Sequence, residues 1–292
     1  AKPAFTSDIE VEPMRNYQKA HIANRYDCEM KTAVIGAGNM GEALIAGLIA
    51  YGETPTNIAV CEKRTERAVE LTGRYGISIA EIADSVRDAD AVLLVVKPQD
   101  MASVLAEVGS AINPAAVVVS FAAGKKIDFI TTNLGKSNSV IRVMPNTATI
   151  VGAGMAAISL GTGVTPAQSE FVAGFLAKSG QVVEVAEELQ DAVTATSGSG
   201  PAYFFAFVEA MVAGARELGL SSEVATQLTV QTLVGAAKLL AESGKSATEL
   251  RENVTSPNGT TAAALNSFSD GDLTELVAKS MKAARDRSIE LA

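Results

Sequence analysis

Histidine, cysteine and tryptophan are nearly missing from this sequence, and each shortage removes a class of chemistry. Of 292 residues one is a histidine, His21, two are cysteines, Cys28 and Cys61, and none is tryptophan. A single imidazole, set in a polar leader, leaves the folded body without the usual acid–base group of neutral pH. That argues against Ser-His-Asp hydrolases, histidine-based hydroxy-acid dehydrogenases and most zinc sites. Two isolated cysteines build neither a disulfide framework nor a thiolate metal site, so a reducing, cytoplasmic setting and no metal are expected. Basic residues are also outnumbered, with 24 Lys and Arg against 33 Asp and Glu and a net charge of −9. Such a chain has no general attraction for phosphate backbones or anionic lipid, and neither nucleic acid nor a membrane is expected as a partner. Unbroken apolar stretches such as 91–96 and 202–208 fall short of the ~18–20 residues that cross a bilayer. Residues 1–29 carry Asp8, Glu10, Glu12, Arg15 and Lys19 where a signal peptide needs a continuous apolar region, so no secretion signal is read there.

What the chain does have is apolar content at a length that suits about two domains of ~150 residues. With 48% apolar and 20% charged residues the composition is globular. Strand and helix signals alternate from residue 31: strand 31–35, helix 42–51, strand 58–61, helix 64–75, strand 91–96, helix 99–110, strand 116–121. Further strands are read at 139–144, 154–158 and 181–185, with a helix over 166–179. The Val/Leu runs are continuous rather than alternating, as in strands covered on both faces of a parallel sheet. After about residue 190 the strand signals stop, and helices are read over 191–220, 222–242 and 272–291. The middle one is apolar almost all round, which a domain of about 100 residues cannot cover alone, and implies a partner subunit. The chain is therefore read as α/β: a polar leader at 1–29, a doubly wound, mainly parallel dinucleotide-binding domain at 30–188, and an all-helical domain at 189–292.

Gly36-Ala37-Gly38-Asn39-Met40-Gly41 lies between a strand and a helix inside a βαβ unit, the context that gives a glycine-rich turn its meaning. The first glycine allows the turn, the second lets backbone approach a pyrophosphate, the third packs helix on strand, and N–H groups at the helix start meet the phosphate charge. At the end of the second strand stand Glu62, Lys63 and Arg64. Glu62 suits a ribose 2′-hydroxyl, while Lys63 and Arg64 suit a 2′-phosphate, so both NAD and NADP remain open. Three more strand ends carry Lys97-Pro98-Gln99, Ala122-Ala123-Gly124 and Met144-Pro145-Asn146-Thr147, at the sheet edge where open α/β folds place ligands.

The helical half offers two clusters. Ser197-Gly198-Ser199-Gly200-Pro201 breaks a long apolar stretch, which calls for close helix approach or ligand access. In Thr255-Ser256-Pro257-Asn258-Gly259-Thr260-Thr261, Ser256 suits an N-cap and Pro257 the first helical position. The N–H groups of 258–261 would then converge on an anion, most simply a carboxylate. Gly244-Lys245-Ser246 imitates the end of a phosphate loop but has Leu239 at the required upstream glycine position.

Taken as an ordered set over residues 31 to about 290, these motifs resemble the pyrroline-5-carboxylate reductase family. The resemblance is carried by the glycine-rich start, 96–99, 121–124, 142–147, 197–203 and above all 250–261. It implies a Rossmann domain followed by a helical domain that interlocks with a second subunit, in homodimers that assemble further into decamers. It implies reduction of L-1-pyrroline-5-carboxylate to L-proline, the last step of proline biosynthesis, with NADPH and with NADH as a second donor. The cofactor would meet Ile35, Gly36, Ala37, Gly38, Asn39, Met40, Gly41, Glu62, Lys63, Arg64, Val96, Lys97, Pro98, Phe121, Ala122, Ala123, Asn146 and Asn253. The substrate, between the domains, would meet Ser256, Asn258, Gly259, Thr260 and Thr261, with Glu187 near its amine and the Thr261 hydroxyl on its imine nitrogen. Reduction of a protonated imine needs orientation and one proton rather than a strong base, which accommodates the missing histidine. Two positions depart from the family pattern: Asn258 stands where a second glycine is usual, and Ala148 where proline is common. Two rival readings are a dehydrogenase using Lys238 as acid and a non-catalytic dinucleotide sensor.

Overall fold

The computed structural model describes residues 30–291, so the leader with His21 and Cys28 lies outside the described residues. The chain runs β1 (Thr32–Ile35), α1 (Asn39–Tyr51), β2 (Ile58–Cys61), α2 (Thr65–Tyr75), β3 (Ser78–Ile79), α3 (Ile82–Arg87), β4 (Ala91–Leu94) and α4 (Met101–Ala111). It continues through β5 (Val117–Ser120), α5 (Ile127–Leu134), β6 (Val140–Met144), β7 (Gly154–Leu160), α6 (Pro166–Leu176), β8 (Gly180–Glu184) and α7 (Gln190–Val193). The sheet order is β3-β2-β1-β4-β5-β6-β7-β8. Among the described residues only β6 and β7 pair antiparallel; every other neighbouring pair is parallel. The doubly wound, mainly parallel sheet expected from the sequence is present.

Alternation along each apolar strand feeds two cores, one on each side of the sheet. Val34, Ala91, Leu93, Val117 and Val119 face Leu44, Ile45 and Leu48 of α1 and Phe171 and Phe175 of α6. Ala33, Ile35, Val92, Leu94 and Val118 face Met101, Leu105 and Val108 of α4 and Ile130 of α5. Continuous Val/Leu content is thus what two covered faces require. α6 begins where its sequence says: Thr165 caps it reciprocally with Gln168, and Pro166 takes the first turn.

The register places the functional segments. Ile35 is opposite both Cys61 and Leu94, Leu94 is opposite Ser120, and Ser120 is opposite Arg142. The carboxyl ends of β1, β2, β4, β5 and β6 therefore come out on one edge of the sheet. Sheet order reverses between β1 and β4, the switch point where such folds bind ligands.

The chain divides into two compact units, one running to Gly198 and taking in the chain again from Arg285, the other Ser199–Ala284. The division falls beyond the 188/189 boundary because a π-turn over Thr194–Gly198 follows α7 directly and stays with the sheet. The second unit is helical: α8 (Gly200–Glu217), α9 (Ser222–Glu242), α10 (Ala247–Asn253), α11 (Thr260–Asp270) and the greater part of α12 (Leu273–Glu290). The single helix expected over 191–220 is broken, since Pro201 has no N–H to continue a ladder and sits instead in the first turn of α8. α8 and α9 pack together, yet Phe204, Leu228 and Val234 are each more than half exposed in the single chain. α9 is also long and apolar enough to cross a membrane by length and composition. Thr and Gln interrupt its apolar sequence, so it holds no long unbroken apolar run although its mean hydropathy stays high.

Candidate functional site

The turn after β1 is built from its glycines. Gly36 has φ +95°, and a Cβ there would lie 2.8 Å from the Val95 carbonyl oxygen. A Cβ on Gly41 would overlap the Gly36 carbonyl oxygen, whereas one on Gly38 would meet nothing within 4 Å. Space is therefore closed around the first and third glycines and open over the second, which is the arrangement a pyrophosphate requires. α1 starts at Asn39 rather than at residue 42, so the N–H groups of Asn39, Met40 and Gly41 are those that helix geometry leaves without an intrahelical acceptor. They and the helix dipole fit an anion at this place.

Side chains from beyond the turn fix its Ala37 peptide from both sides. The Ala37 N–H donates to Glu62 Oε2 at 3.3 Å, and the Ala37 carbonyl accepts from Arg67 Nε at 3.1 Å. Arg67 also pairs with Glu42 of α1, which accepts from Arg74 and from the Tyr75 hydroxyl as well. Burial would raise the Glu42 carboxyl, but the hydrogen bonds from Arg67, Tyr75 and Arg74 outweigh it and hold the group below its ordinary value. Sequence reading missed this network, which joins residues some 30 positions apart without a local signal.

At the end of β2 the three predicted charges divide. Glu62 is nearly covered, its side chain 8% exposed, while Arg64 lies 65% exposed on top of it. Arg64 Nε and its backbone N–H each donate to Oε1 at 2.9 Å, and Nη2 donates to Oε2 at 3.1 Å. The Arg64 contact is the main reason the Glu62 carboxyl is held down to about 2. Lys63 is exposed beside them.

The other strand ends form a hollow of about 310 Å³ lined by Met40, Val95, Val96, Lys97, Phe121, Met144, Pro145, Asn146, Thr147 and Gly198. Lys97, Met144, Pro145, Asn146 and Thr147 are thus brought together as the strand-end argument anticipates, with Met40 of the glycine-rich turn and with Val96 and Phe121, which the resemblance named. Val95, two residues before Lys97, lines it too, and Gly198 comes from the cluster at 197–201. Gly198 is small for a packing reason, because a Cβ there would press on the Met144 methyl group. The Asn146 side chain is engaged within the protein: Nδ2 donates to the Ser197 carbonyl at 3.1 Å, and Oδ1 accepts from the Met155 N–H at 3.2 Å. Ile35 and Ala122 are buried and do not line the hollow; nor do Pro98 and Ala123, which are half-buried.

Glu187 sits below β6, where Oε1 accepts from the Ile127 N–H at 2.7 Å and pairs with Arg142 at 3.3 Å. Arg142, 3% exposed, also faces Asp191 at 3.8 Å. Asp191 in turn accepts from Ser288 of α12 at 2.7 Å.

The remaining candidates belong to the helical unit. Asn253 is the last residue of α10 and is exposed. The loop 255–261 folds differently from its Ser-Pro signal: α11 begins at Thr260 with Gly259 as N-cap, not at Pro257 after Ser256. Asn258 takes φ +58°, which interrupts any helix there, and the Gly259 N–H donates to the Ser256 carbonyl at 3.0 Å to close a tight turn. The N–H groups offered to an anion are therefore those of Thr260, Thr261 and Ala262, while that of Gly259 is already engaged. Asn258 adopts the left-handed backbone that a glycine would take, as asparagine tolerates better than most residues. Thr261 is half-buried at the second position of the helix. Lys238 pairs with Glu242 at 4.0 Å and is exposed in this chain.

Comparison with known proteins matches both halves. A family model described as pyrroline-5-carboxylate reductase dimerisation matches residues 187–291, and one described as NADP oxidoreductase, coenzyme F420-dependent, matches 31–124. Pyrroline-5-carboxylate reductase of Pseudomonas aeruginosa is 41% identical, over 90% of this chain and 97% of its own. The solved structure of the Coxiella burnetii enzyme superposes with TM-score 0.85 at 34% identity, covering 91% of this chain and 99% of that one. The Plasmodium falciparum pyrroline carboxylate reductase, solved with NADP bound, gives TM-score 0.79 at 26% identity over 90% of this chain and 98% of that one.

Proposed function

The chain belongs to the pyrroline-5-carboxylate reductase family, and we propose from its own residues how it reduces L-1-pyrroline-5-carboxylate to L-proline with a nicotinamide dinucleotide. The observation that carries the cofactor half is the open approach over Gly38 between two glycines whose space is filled. When bound, the nicotinamide supplies the hydride that goes to the imine carbon. Asn39, Met40 and Gly41 hold the pyrophosphate through their backbone N–H groups. Val96, Lys97 and Phe121 border the hollow and orient the remainder of the dinucleotide. Lys63 and Arg64 favour NADPH, and Glu62 keeps NADH acceptable at the same site.

The substrate arrives as a protonated cyclic imine that is already electrophilic, so the protein needs to orient it and exclude misaligned approaches rather than activate it strongly. The amides of Thr260, Thr261 and Ala262 receive its carboxylate, and the Thr261 hydroxyl hydrogen-bonds the imine nitrogen. Ser256, Asn258 and Gly259 shape that turn, and Asn253 precedes it. We assign Glu187 to the vicinity of the substrate amine on the family resemblance; in this structure it also orders Ile127 and Arg142. Self-association through the helical unit covers the apolar side chains left exposed on α8 and α9. A homodimer that assembles further into a decamer, in the cytoplasm, completes the proposal.

The test is nicotinamide absorbance with purified protein and pyrroline-5-carboxylate, NADPH and NADH run in parallel. Oxidation of either with proline as product is expected, faster with NADPH. Folded protein that binds the dinucleotide and oxidises neither overturns the reading.

A further inference from the structure

Glu62 and Arg64 occupy the end of β2, where a dinucleotide presents its adenosine ribose. Three hydrogen bonds tie Arg64 to the Glu62 carboxylate, and the same carboxylate holds the Ala37 N–H of the glycine turn. A free 2′-hydroxyl carries no charge that competes for Arg64, and it leaves the ion pair intact over a carboxylate that already accepts four hydrogen bonds. A 2′-phosphate brings up to two negative charges to the same place, and Glu62 opposes them unless Arg64 turns its fork outward. Arg64 can do so, because its side chain is 65% exposed while Glu62 stays covered beneath it.

Resting on the reading of this turn as a dinucleotide site, we propose that Glu62 and Arg64 form an exchange pair that sets cofactor preference. Arg64 remains on Glu62 when the ribose is unphosphorylated and transfers its guanidinium to the phosphate when one is present. Each contact of Arg64 with the phosphate is then made in competition with Glu62, which narrows the preference for NADPH and keeps NADH usable. Glu62 is thus a specificity-determining residue that acts through its hold on Arg64.

Calorimetric titration of the full chain with ADP-ribose and with 2′-phospho-ADP-ribose tests this without turnover. Glu62→Gln keeps an oxygen for the Ala37 N–H but releases Arg64, and should shift the affinity ratio toward the phosphorylated ligand by about tenfold or more, the scale of one charge-assisted fork. Arg64→Ala should weaken the phosphorylated ligand by a similar factor and ADP-ribose by about twofold at most. Arg64→Ala also stands alone should Glu62→Gln fail to fold. A ratio unchanged in Glu62→Gln, or equal losses for both ligands in Arg64→Ala, overturns the exchange pair while leaving the dinucleotide site in place. Failure of the unmodified chain to bind either ligand overturns both.

Discussion

Arg67 reaches from α2 to the glycine-rich turn and donates through Nε to the Ala37 carbonyl at 3.1 Å. A turn made of glycine is free to adopt many conformations before it binds, and a fixed hydrogen bond to its one non-glycine carbonyl between Gly36 and Gly38 restricts them. The pre-organisation lowers the ordering cost of binding a pyrophosphate. Replacing Arg67 with alanine removes that bond and one of the guanidinium partners of Glu42. The expected outcome is a loss of about 1.5–3 kcal/mol in denaturant stability, the size of hydrogen bonds to charged groups. Dinucleotide affinity should fall in the same variant, and Arg67→Lys should rescue little of it because an ammonium cannot serve both acceptors in a planar fork. Unaltered affinity at unaltered stability would show that the contact positions nothing.

The three glycines of the turn separate packing from binding. Gly38→Ala adds a methyl group into space that no protein atom occupies within 4 Å. Its stability should change by less than about 0.5 kcal/mol, while affinity for NADPH falls because the methyl stands where the pyrophosphate approaches. Gly41→Ala instead drives a methyl into the Gly36 carbonyl and should cost about 1–3 kcal/mol in stability. Urea melts paired with cofactor titrations distinguish the two; the same pattern in both variants would contradict the assignment of separate roles.

The Glu62 carboxyl is held near 2 by Arg64, well below its ordinary value of about 4.3. A depressed folded value means that the pairing contributes its full stability above about pH 4.3 and loses it as the pH falls toward 2. Glu62→Gln should therefore narrow the difference in melting temperature between pH 7 and pH 2, costing most at pH 7, part of that at pH 3 and little at pH 2. An equal loss at all three pH values would place the contribution of Glu62 in packing rather than in charge.

The sheet was legible in the sequence because its strands are buried on both faces, and Val34, Leu93 and Val118 need no alternation to declare themselves. The strand-end rule then located Lys97, Met144, Pro145, Asn146 and Thr147 without coordinates, although Ala122 and Ala123, named by the same rule, do not line the hollow. Short helices were harder. α3 and α5 are rich in β-branched and polar residues of low helix propensity and owe their formation to packing on the sheet. α10 did carry a legible signal: Ser246 and Glu249 form a capping box, overshadowed by the neighbouring Gly-Lys-Ser that imitates a phosphate loop. The start of α11 was misplaced because Ser256-Pro257 is a local signal, and the left-handed Asn258 overrides it. The contacts of Glu62 with Ala37 and of Arg67 with Ala37 depend on side-chain rotamers across the fold, which a motif spacing does not encode.

Arg142 is almost wholly buried between two carboxylates, Glu187 at 3.3 Å and Asp191 at 3.8 Å. Removing the cation leaves two acidic groups facing each other in poor solvent contact. Arg142→Met should cost about 3–5 kcal/mol, the usual result of breaking a buried pair from one side. Adding Glu187→Gln should restore part of the loss, and a double-mutant cycle in urea measures the coupling. Additive losses would mean that the two groups do not sense each other, despite the distance.

Thr261 gives the sharpest test of the chemistry. A threonine hydroxyl is a weak acid, so in the proposed role it orients the imine and passes on a hydrogen bond rather than supplying the driving force. Thr261→Ala should then lower kcat roughly 10- to 100-fold, short of the ~10²–10⁴ contributed by many true general acids. Thr261→Ser keeps the hydroxyl and should recover most of the rate, whereas Thr261→Val, similar in shape, should not. Cofactor affinity should be unchanged in all three, because the loop that carries Thr261 offers its amides to the substrate carboxylate. A loss much beyond 100-fold in the alanine variant would require the hydroxyl to act as a proton donor in its own right, and no loss would remove Thr261 from the reaction.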